Sequence, residues 1–435
     1  MKHNRSWVEP GKTLLLVALS LSALYLFYLS PLFQGSPLLG LLREDAPTPS
    51  AAVRLSAPVT PARMMVSNGS IRSGLLFESG ELNLLFRQTA PLLGEALRTA
   101  STSSSVSQQE WQTLLSGAGL YFDFLSPLPL SVLCGWLQSE EGNPALTHSA
   151  RHLFLAPRWD GSVLLGYQSG EEFYLSVTGL DATLHLEPIL ADILPNGAYF
   201  AYQHSQMSDR ITPLTLFSGT HPDLPVYVAS HPDLSPNSPA TIQLLQALAF
   251  SGQNSAPISN GQVYADGEDT LRIYHNGEVV YHAAQSEKYL CRSTDLDGVL
   301  DMVWTLAEAA LEPLSGSGRL YLSHIDSRGE HQYTISLGYQ LNGCPVQLYA
   351  DGWTAQFTVE HGVVVAFTLR PRTYANTGQT ALLLPQEKAV AALEVLSDQP
   401  LELLIQYPDD GSALLNPRWV GKSPDQEDIS WSGQE

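Results

Sequence analysis

Residues 333–369 read YTISLGYQLNGCPVQLYADGWTAQFTVEHGVVVAFTL, and apolar and polar side chains alternate along three parts of this stretch. The alternating apolar positions are Tyr333, Ile335, Leu337, Tyr339 and Leu341, then Trp353, Ala355, Phe357 and Val359, then Val363, Val365, Phe367 and Leu369. Because successive side chains of a strand point to opposite faces of its sheet, this period of two predicts strands with one buried face and one wet face. The stretch therefore predicts an antiparallel sheet with helices packed on one side.

Helical and hairpin patterns precede this sheet. Thr294 is predicted to cap a helix that ends at Pro313, because apolar residues fall at helical spacing between them. Asn276-Gly277 lies between two strand-like runs, which is the strongest short-range signal for a hairpin. Further upstream, the apolar spacing of residues 81–100 predicts another helix. Together these elements predict an α+β fold class, with antiparallel sheets and packed helices.

An uncharged apolar run, TLLLVALSLSALYLFYLSPLF, occupies residues 13–33. At about 1.5 Å per residue it could cross a hydrocarbon core of about 30 Å, so it predicts one N-terminal transmembrane helix. Lys2, Arg5 and Lys12 precede the run, which by the positive-inside rule places the N-terminus in the cytoplasm and the bulk of the chain outside the cell. A cleaved signal peptide is the alternative, but its apolar region is usually shorter and a cleavage site would follow promptly. We therefore expect an uncleaved signal anchor in the cell membrane, passing through it once.

Composition along the chain predicts seven consecutive segments, with two or three extracytoplasmic domains among them. The stalk is assigned from its scattered prolines. The segments are a cytoplasmic tail at 1–12, the transmembrane anchor at 13–33, the stalk at 34–63, a first α+β domain at 64–208, a middle α+β region at 209–290, a C-terminal antiparallel-sheet domain at 291–421 and a polar tail at 422–435.

The charge of the chain narrows the classes of partner. It has 43 acidic and 22 basic residues, for a formal net charge of -21. Binding to a phosphate backbone needs clustered Lys and Arg, so this balance argues against nucleic acid.

Cys134, Cys291 and Cys344 are too few and too far apart for a disulfide framework or a zinc ribbon, and we expect them to be buried.

No catalytic motif stands out in the sequence. It lacks GxSxG, SxxK, HExxH, a P-loop and the Rossmann glycine fingerprint, so we predict a protein that is not an enzyme, without catalytic residues or a cofactor.

The motif His-Pro-Asp occurs twice, at His221–Asp223 and at His231–Asp233, on either side of one predicted strand. Imidazole and carboxylate are suitable metal ligands, so these four side chains are weak metal candidates. Asp after proline is also ordinary turn chemistry, which is the interpretation we favour.

Small side chains lie within the predicted transmembrane helix at Ala18, Ser20, Ser22 and Ala23. Small residues let two helices approach closely in a bilayer, so these four are candidates for partner binding. The alternative is chance in a helix rich in Ala and Ser.

The segment GYQLNGCPVQLYADGWTAQFTVEHGVVVAFTLRPRTY, residues 338–374, resembles the YycH and YycI regulators of Gram-positive bacteria. A strand there ends in a Gly-x-Pro-Val element, and two strands around a short glycine turn follow. The closing Asn416-Pro-Arg-Trp419 also looks similar to the end of those proteins. The resemblance implies an extracytoplasmic regulator that binds a sensor histidine kinase of a two-component system through protein–protein interaction. It further implies association with a paralogous regulator and offers no catalytic residues.

A second class of function stays open at this point. The alternative is a membrane-anchored envelope enzyme or ligand-binding protein, for example one that acts on carbohydrate. A deep cleft with two facing carboxylates would favour that alternative, and a sensor kinase gene beside this one would favour the regulator.

Overall fold

A computed structural model describes residues 59–77, 80–138, 143–191, 193–204, 210–218, 223–284, 287–349, 351–393, 400–422 and 428–430. Its strands are β1 (Arg63–Asn68), β2 (Arg72–Leu76), β3 (Ser104–Val106), β4 (Ala118–Pro129), β5 (Ser149–Pro157), β6 (Ser162–Ser169), β7 (Glu172–Asp181), β8 (Tyr199–Phe200), β9 (Leu216–Phe217), β10 (Pro225–Ser230), β11 (Ser255–Ile258), β12 (Gly261–Asp266), β13 (Asp269–Tyr274), β14 (Val279–His282), β15 (Arg319–Gly329), β16 (Gln332–Leu341), β17 (Cys344–Leu348), β18 (Ala355–Glu360), β19 (Val363–Leu369), β20 (Thr373–Thr380), β21 (Glu402–Asp409), β22 (Leu414–Leu415), β23 (Arg418–Lys422) and β24 (Asp428–Ser430). Its helices are α1 (Gly80–Thr99), α2 (Gln108–Leu115), α3 (Leu130–Gln138), α4 (Ala182–His185), α5 (Glu187–Ala191), α6 (Pro239–Ala247), α7 (Leu296–Ser315) and α8 (Gln386–Leu393).

The N-terminal sheet is covered by helices on both faces. Its strand order is β2-β1-β4-β5-β6-β7-β3. Apolar residues of α1 and α3 share a core with Leu120 and Leu153 of this sheet. On the opposite face, Trp111 of α2 packs against Phe154, with ring centroids 4.9 Å apart. The alternating strands therefore bury both of their faces.

The large sheet combines strands from the middle and the C-terminal parts of the chain. Its order is β11-β12-β13-β14-β19-β18-β16-β17-β21-β23-β24, and β15 pairs with β16 beside this path. The junction is the antiparallel pair β14–β19, in which Tyr281 faces Phe367.

Helix α7 is capped by Asp295, whose side chain accepts a hydrogen bond from Gly298 N at 3.1 Å. The predicted cap, Thr294, is one residue too early.

Buried hydrogen bonds join the two sheets. Arg63 Nη2 of β1 donates to Leu403 O of β21 at 2.6 Å. Ser126 Oγ of β4 donates to Leu322 O of β15. A third, small sheet, ordered β20-β10-β22, ties the middle of the chain to its C-terminal part. The three cysteines are buried, as predicted.

The predicted fold class is corrected by this architecture. The described residues all belong to one compact unit, and β14–β19 and β10–β20 pair strands across the predicted boundary at 290. The sheets are not all antiparallel, since β17 and β21 pair in parallel. The molecule is thus mixed α/β and mostly sheet.

The predicted transmembrane helix, residues 13–33, lies outside the described residues. Within the described ranges, no helix is both long enough and apolar enough to cross a bilayer. Most of the predicted stalk also lies outside them, while its last residues are folded: Val59 and Ala62 are buried, and Arg63 begins β1.

Candidate functional site

A polar cleft opens where the large sheet meets the small one. Four connections line it: the loop after β10, the β13–β14 turn, the β17–β18 connection and the β19–β20 connection. The cavity has a volume of about 270 Å³. We name this cavity the Arg370 cleft, because Arg370 contacts several of the groups around it. Its charged and aromatic lining residues are His231, Glu278, Tyr349, Asp351, Arg370 and Arg372.

Arg370 is held in one position by three neighbours. Its guanidinium carbon lies 3.8 Å from the centroid of the Trp353 ring, a close cation–π contact. Its Nε lies 3.3 Å from a carboxylate oxygen of Glu278, and its Nη1 lies 2.9 Å from one of Asp351. Asp351 is the most accessible of these charges, with 53% of its side chain exposed against 21% for Arg370. A guanidinium fixed by stacking and by two carboxylates presents its charges in a set geometry.

A second arginine forms the floor of the cleft. Arg372 is buried, and its Nε donates to Asp409 Oδ2 at 2.8 Å while Nη2 binds the other oxygen. Tyr374 Oη also donates to Asp409, at 3.0 Å. Burial raises the pKa of the Tyr374 phenol, and the Asp409 carboxylate raises it further. This bidentate pair anchors the start of β20 beside Arg370.

His231 stands on the opposite rim. Its Nε2 lies 3.5 Å from Tyr349 Oη. Burial lowers the pKa of His231, and the nearby Arg372 cation lowers it further against the opposing effect of Asp409. His231 is therefore neutral at pH 7 and can exchange hydrogen bonds without adding charge to the cleft.

The predicted hairpin turn shapes the wall next to His231. Gly277 has φ +86°, a left-handed conformation that side chains disfavour. A Cβ atom there would lie 3.4 Å from His231 Nδ1. The Asn276-Gly277 turn thus leaves room for the histidine ring.

Of the four predicted metal candidates, the structure describes Asp223, His231 and Asp233. Asp233 Oδ1 accepts a hydrogen bond from Ser235 N at 3.0 Å, which is a side-chain turn. Asp223 is exposed, and His221 lies outside the described residues, as do the partner-binding candidates Ala18, Ser20, Ser22 and Ala23. In the described part of the chain, no three His, Cys, Asp or Glu side chains are grouped to hold a metal ion.

Sequence reasoning missed most of this cleft. It singled out His231 and the Asn276-Gly277 turn, and it quoted residues 338–374 for their resemblance, but it did not assign a site role to Arg370. A signal was present: Arg370-Pro-Arg372 follows directly on an apolar strand, in a chain with only 22 basic residues. Two arginines placed there need partners, which Glu278, Asp351 and Asp409 supply.

The charges of the cleft favour recognition of a basic group. Two guanidiniums face three carboxylates, and the accessible outer charge is Asp351. A Lys or Arg of a partner could bind Asp351 without displacing Arg370. The net charge of -21 would attract such a partner from a distance.

Comparison with known proteins gives little further guidance. No protein family model matches the chain, and no curated protein matches it. A solved structure of an uncharacterized protein from Eubacterium rectale aligns with 49% of this chain and 80% of its own length, at 11% sequence identity and a TM-score of 0.30. A likeness at that score carries no argument about fold or function.

Proposed function

We propose that this chain is a regulatory protein that works by binding, and that its partner is a sensor histidine kinase of a two-component system. The observation that carries the proposal is the Arg370 cleft, where the segment 338–374 meets the His231 loop and the 276–278 turn. That segment is the one that resembles the YycH and YycI regulators. A paralogous regulator is the second partner in this proposal.

The cleft supports a binding role because its groups are already held in place. Stacking on Trp353 and two ion pairs fix Arg370, so little side-chain entropy is lost when a partner binds. We assign Asp351 the contact with a Lys or Arg of the extracytoplasmic part of the kinase. Such a contact can regulate only if it differs between two conformational states of the kinase.

The location outside the cell membrane belongs to the same proposal, since the contact requires both proteins on that side. Cross-linking intact cells with a reagent that does not cross membranes tests location and contact together. The full-length chain should be captured with a sensor histidine kinase. Capture only after the cells are lysed would contradict the proposal.

Asp351→Asn tests the role of the cleft. We expect this variant to weaken the association of the full-length chain with the kinase about tenfold at low salt, a loss of ~1.4 kcal/mol. Asp326→Asn is the matched control. Asp326 is 48% exposed and forms a 3.1 Å ion pair with Arg328, and neither residue lines the cleft. Equal association of both variants with the kinase would remove the cleft from the interface.

One observation favours the alternative of a carbohydrate-acting protein. Glu278 and Asp351 place two carboxylates in one cleft, and glycosidases use such pairs. Here both carboxylates bind the same guanidinium, so Arg370 occupies the position next to each of them. Release of sugar from cell-wall polysaccharide by the full-length chain, abolished in Glu278→Gln, would replace the regulatory proposal with this one.

A further inference from the structure

A row of polar residues crosses the N-terminal sheet on the face that packs against α2. Arg63 pairs with Asp123, and Asp123 pairs with His152, at directly opposed positions of β1, β4 and β5. The row continues to Gln168, whose Oε1 lies 3.0 Å from His152 Nδ1. Gln168 in turn pairs with Phe173 of β7. Five adjacent strands thus contribute one side chain each to the same row, and four of the five side chains are polar.

This row forms the floor of a second cavity, the Asp123 pocket, with a volume of about 210 Å³. Its opposite wall is the loop 212–215, and Glu402 of β21 and Gln108 of α2 stand at its rim. Phe173 and Leu214 make part of the lining apolar. Space of this size would hold roughly seven waters. The pocket shares no lining residue with the Arg370 cleft.

The carboxylates at the floor and the rim of the pocket do not use all of their acceptor capacity within the fold. Asp123 is 1% exposed, and its Oδ1 accepts a hydrogen bond from Arg151 Nε at 2.8 Å. Its Oδ2 lies 3.4 Å from Arg63 Nη1 and accepts no hydrogen bond from any described residue. Glu402 Oε1 forms an ion pair with Arg151 Nη1, also without a hydrogen bond within the described chain. Each of these two acceptor atoms thus lies beside a guanidinium nitrogen but accepts no well-directed hydrogen bond within the described chain, an arrangement that a donating ligand would improve.

The charges of the pocket indicate what kind of donor fits. Arg63 and Arg151 balance Asp123 and Glu402, so the cluster is neutral as it stands. An added cation would lie close to two guanidiniums, and an added anion close to two carboxylates. Hydroxyl groups donate and accept without disturbing this balance. The apolar wall at Phe173 suits the C–H face of a sugar ring.

We propose that the Asp123 pocket binds a neutral, hydroxyl-rich ligand of the size of one sugar ring. Hydroxyls donate to Asp123 Oδ2 and Glu402 Oε1, and a ring face packs on Phe173. The site lies between the N-terminal sheet and β21, a position common for ligand pockets. It is separate from the kinase contact, so either assignment can fail without the other.

Ligand-observed NMR by saturation transfer tests the proposal, with the full-length chain and D-glucose as the probe. We expect binding to the wild-type chain and about fivefold weaker binding in Glu402→Ala, as for the loss of one hydrogen bond. Binding should also weaken in Gln168→Ala, which removes part of the pocket lining. Glu95→Ala is the matched control, since Glu95 is also a half-buried glutamate ion-paired to an arginine, 34% exposed against 24% for Glu402. That variant should bind glucose like wild type.

Further probes separate the possible ligands. Methyl glucoside is substituted at its anomeric oxygen, as a sugar at the end of a glycan is. It should therefore bind if the natural ligand is the end of a glycan, and it should not bind if the natural ligand is a free sugar. Stronger binding of methylammonium or acetate than of glucose would overturn the assignment of a neutral ligand. Absence of a glucose signal from the wild-type chain would show that the pocket holds only water. Glucose binding unchanged in both pocket variants would place the sugar elsewhere.

Discussion

Asp123 shows at the scale of one residue how the fold tolerates a deeply buried charge. Burial alone would raise the pKa of this carboxyl. Arg151, His152 and Arg63 act in the opposite direction and hold the pKa well below its usual range. Asp123 is therefore ionised at any physiological pH, and its charge is part of the contact between the N-terminal sheet and β21.

Removing that charge should destabilise the protein. In Asp123→Asn, the guanidiniums of Arg63 and Arg151 lose a buried partner, which we expect to lower the free energy of unfolding at pH 7 by about 3–5 kcal/mol. Denaturant titration measures this loss. Asp326→Asn, at an exposed ion pair, should change stability by less than about 0.5 kcal/mol. Equal effects of the two substitutions would show that the buried cluster adds no stability.

The same variant should alter the dependence of stability on pH. An unfolded aspartate has a pKa of about 3.9. Because the pKa of Asp123 is lowered on folding, its contribution is present above that value and is lost as the pH falls toward the folded pKa. The wild-type chain should thus lose more stability than Asp123→Asn below about pH 5.

At the scale of elements, β18 and β19 show how far alternation can be trusted. Phe357 and Phe367 are buried as the period of two predicts. The pairing shifts between Thr358–Ala366 and Val359–Val364, so Val364 is buried where Val363 and Val365 were expected. One extra residue in a strand moves the following side chains to the other face, and the sequence does not mark where that residue lies.

The β13–β14 turn offers a test at the same scale. Gly277→Ala should cost about 1–2 kcal/mol of stability, because an L-residue is strained in the left-handed region. Thermal unfolding measures it. The new methyl group would also lie in van der Waals contact with His231 Nδ1. Gly161→Ala is the control, since Gly161 has the same φ of +86° but open space around its Cβ position. A larger loss in Gly277→Ala than in the control would measure the contact with His231.

For the whole molecule, shared sheets predict cooperative unfolding. Strands from the predicted middle region pair with strands of the predicted C-terminal domain in both the large and the small sheet. Neither region can unfold without exposing hydrogen-bonding edges of the other. We therefore expect one main calorimetric transition for residues 55–435 in the full-length chain. Two well-separated transitions, matching 64–208 and 291–421, would restore the predicted domains.

Local patterns in the sequence determined much of the secondary structure. Helix α7, the hairpin around Asn276-Gly277 and the strands β16, β18 and β19 were each predicted from spacing within a few residues. The burial of Phe357, Phe367 and the three cysteines followed from side-chain chemistry. These features depend on backbone conformation and solvation, which neighbouring residues largely set.

Only the tertiary structure decided which distant strands pair and which residues meet in the two clefts. The parallel pairing of β17 with β21 joins residues about 60 apart in the chain. The Arg370 cleft brings together His231, Glu278 and Asp351, and the Asp123 pocket brings Asp123 beside Glu402. Such contacts depend on which strands become neighbours, and a periodic pattern fixes the face of a strand but not its partner.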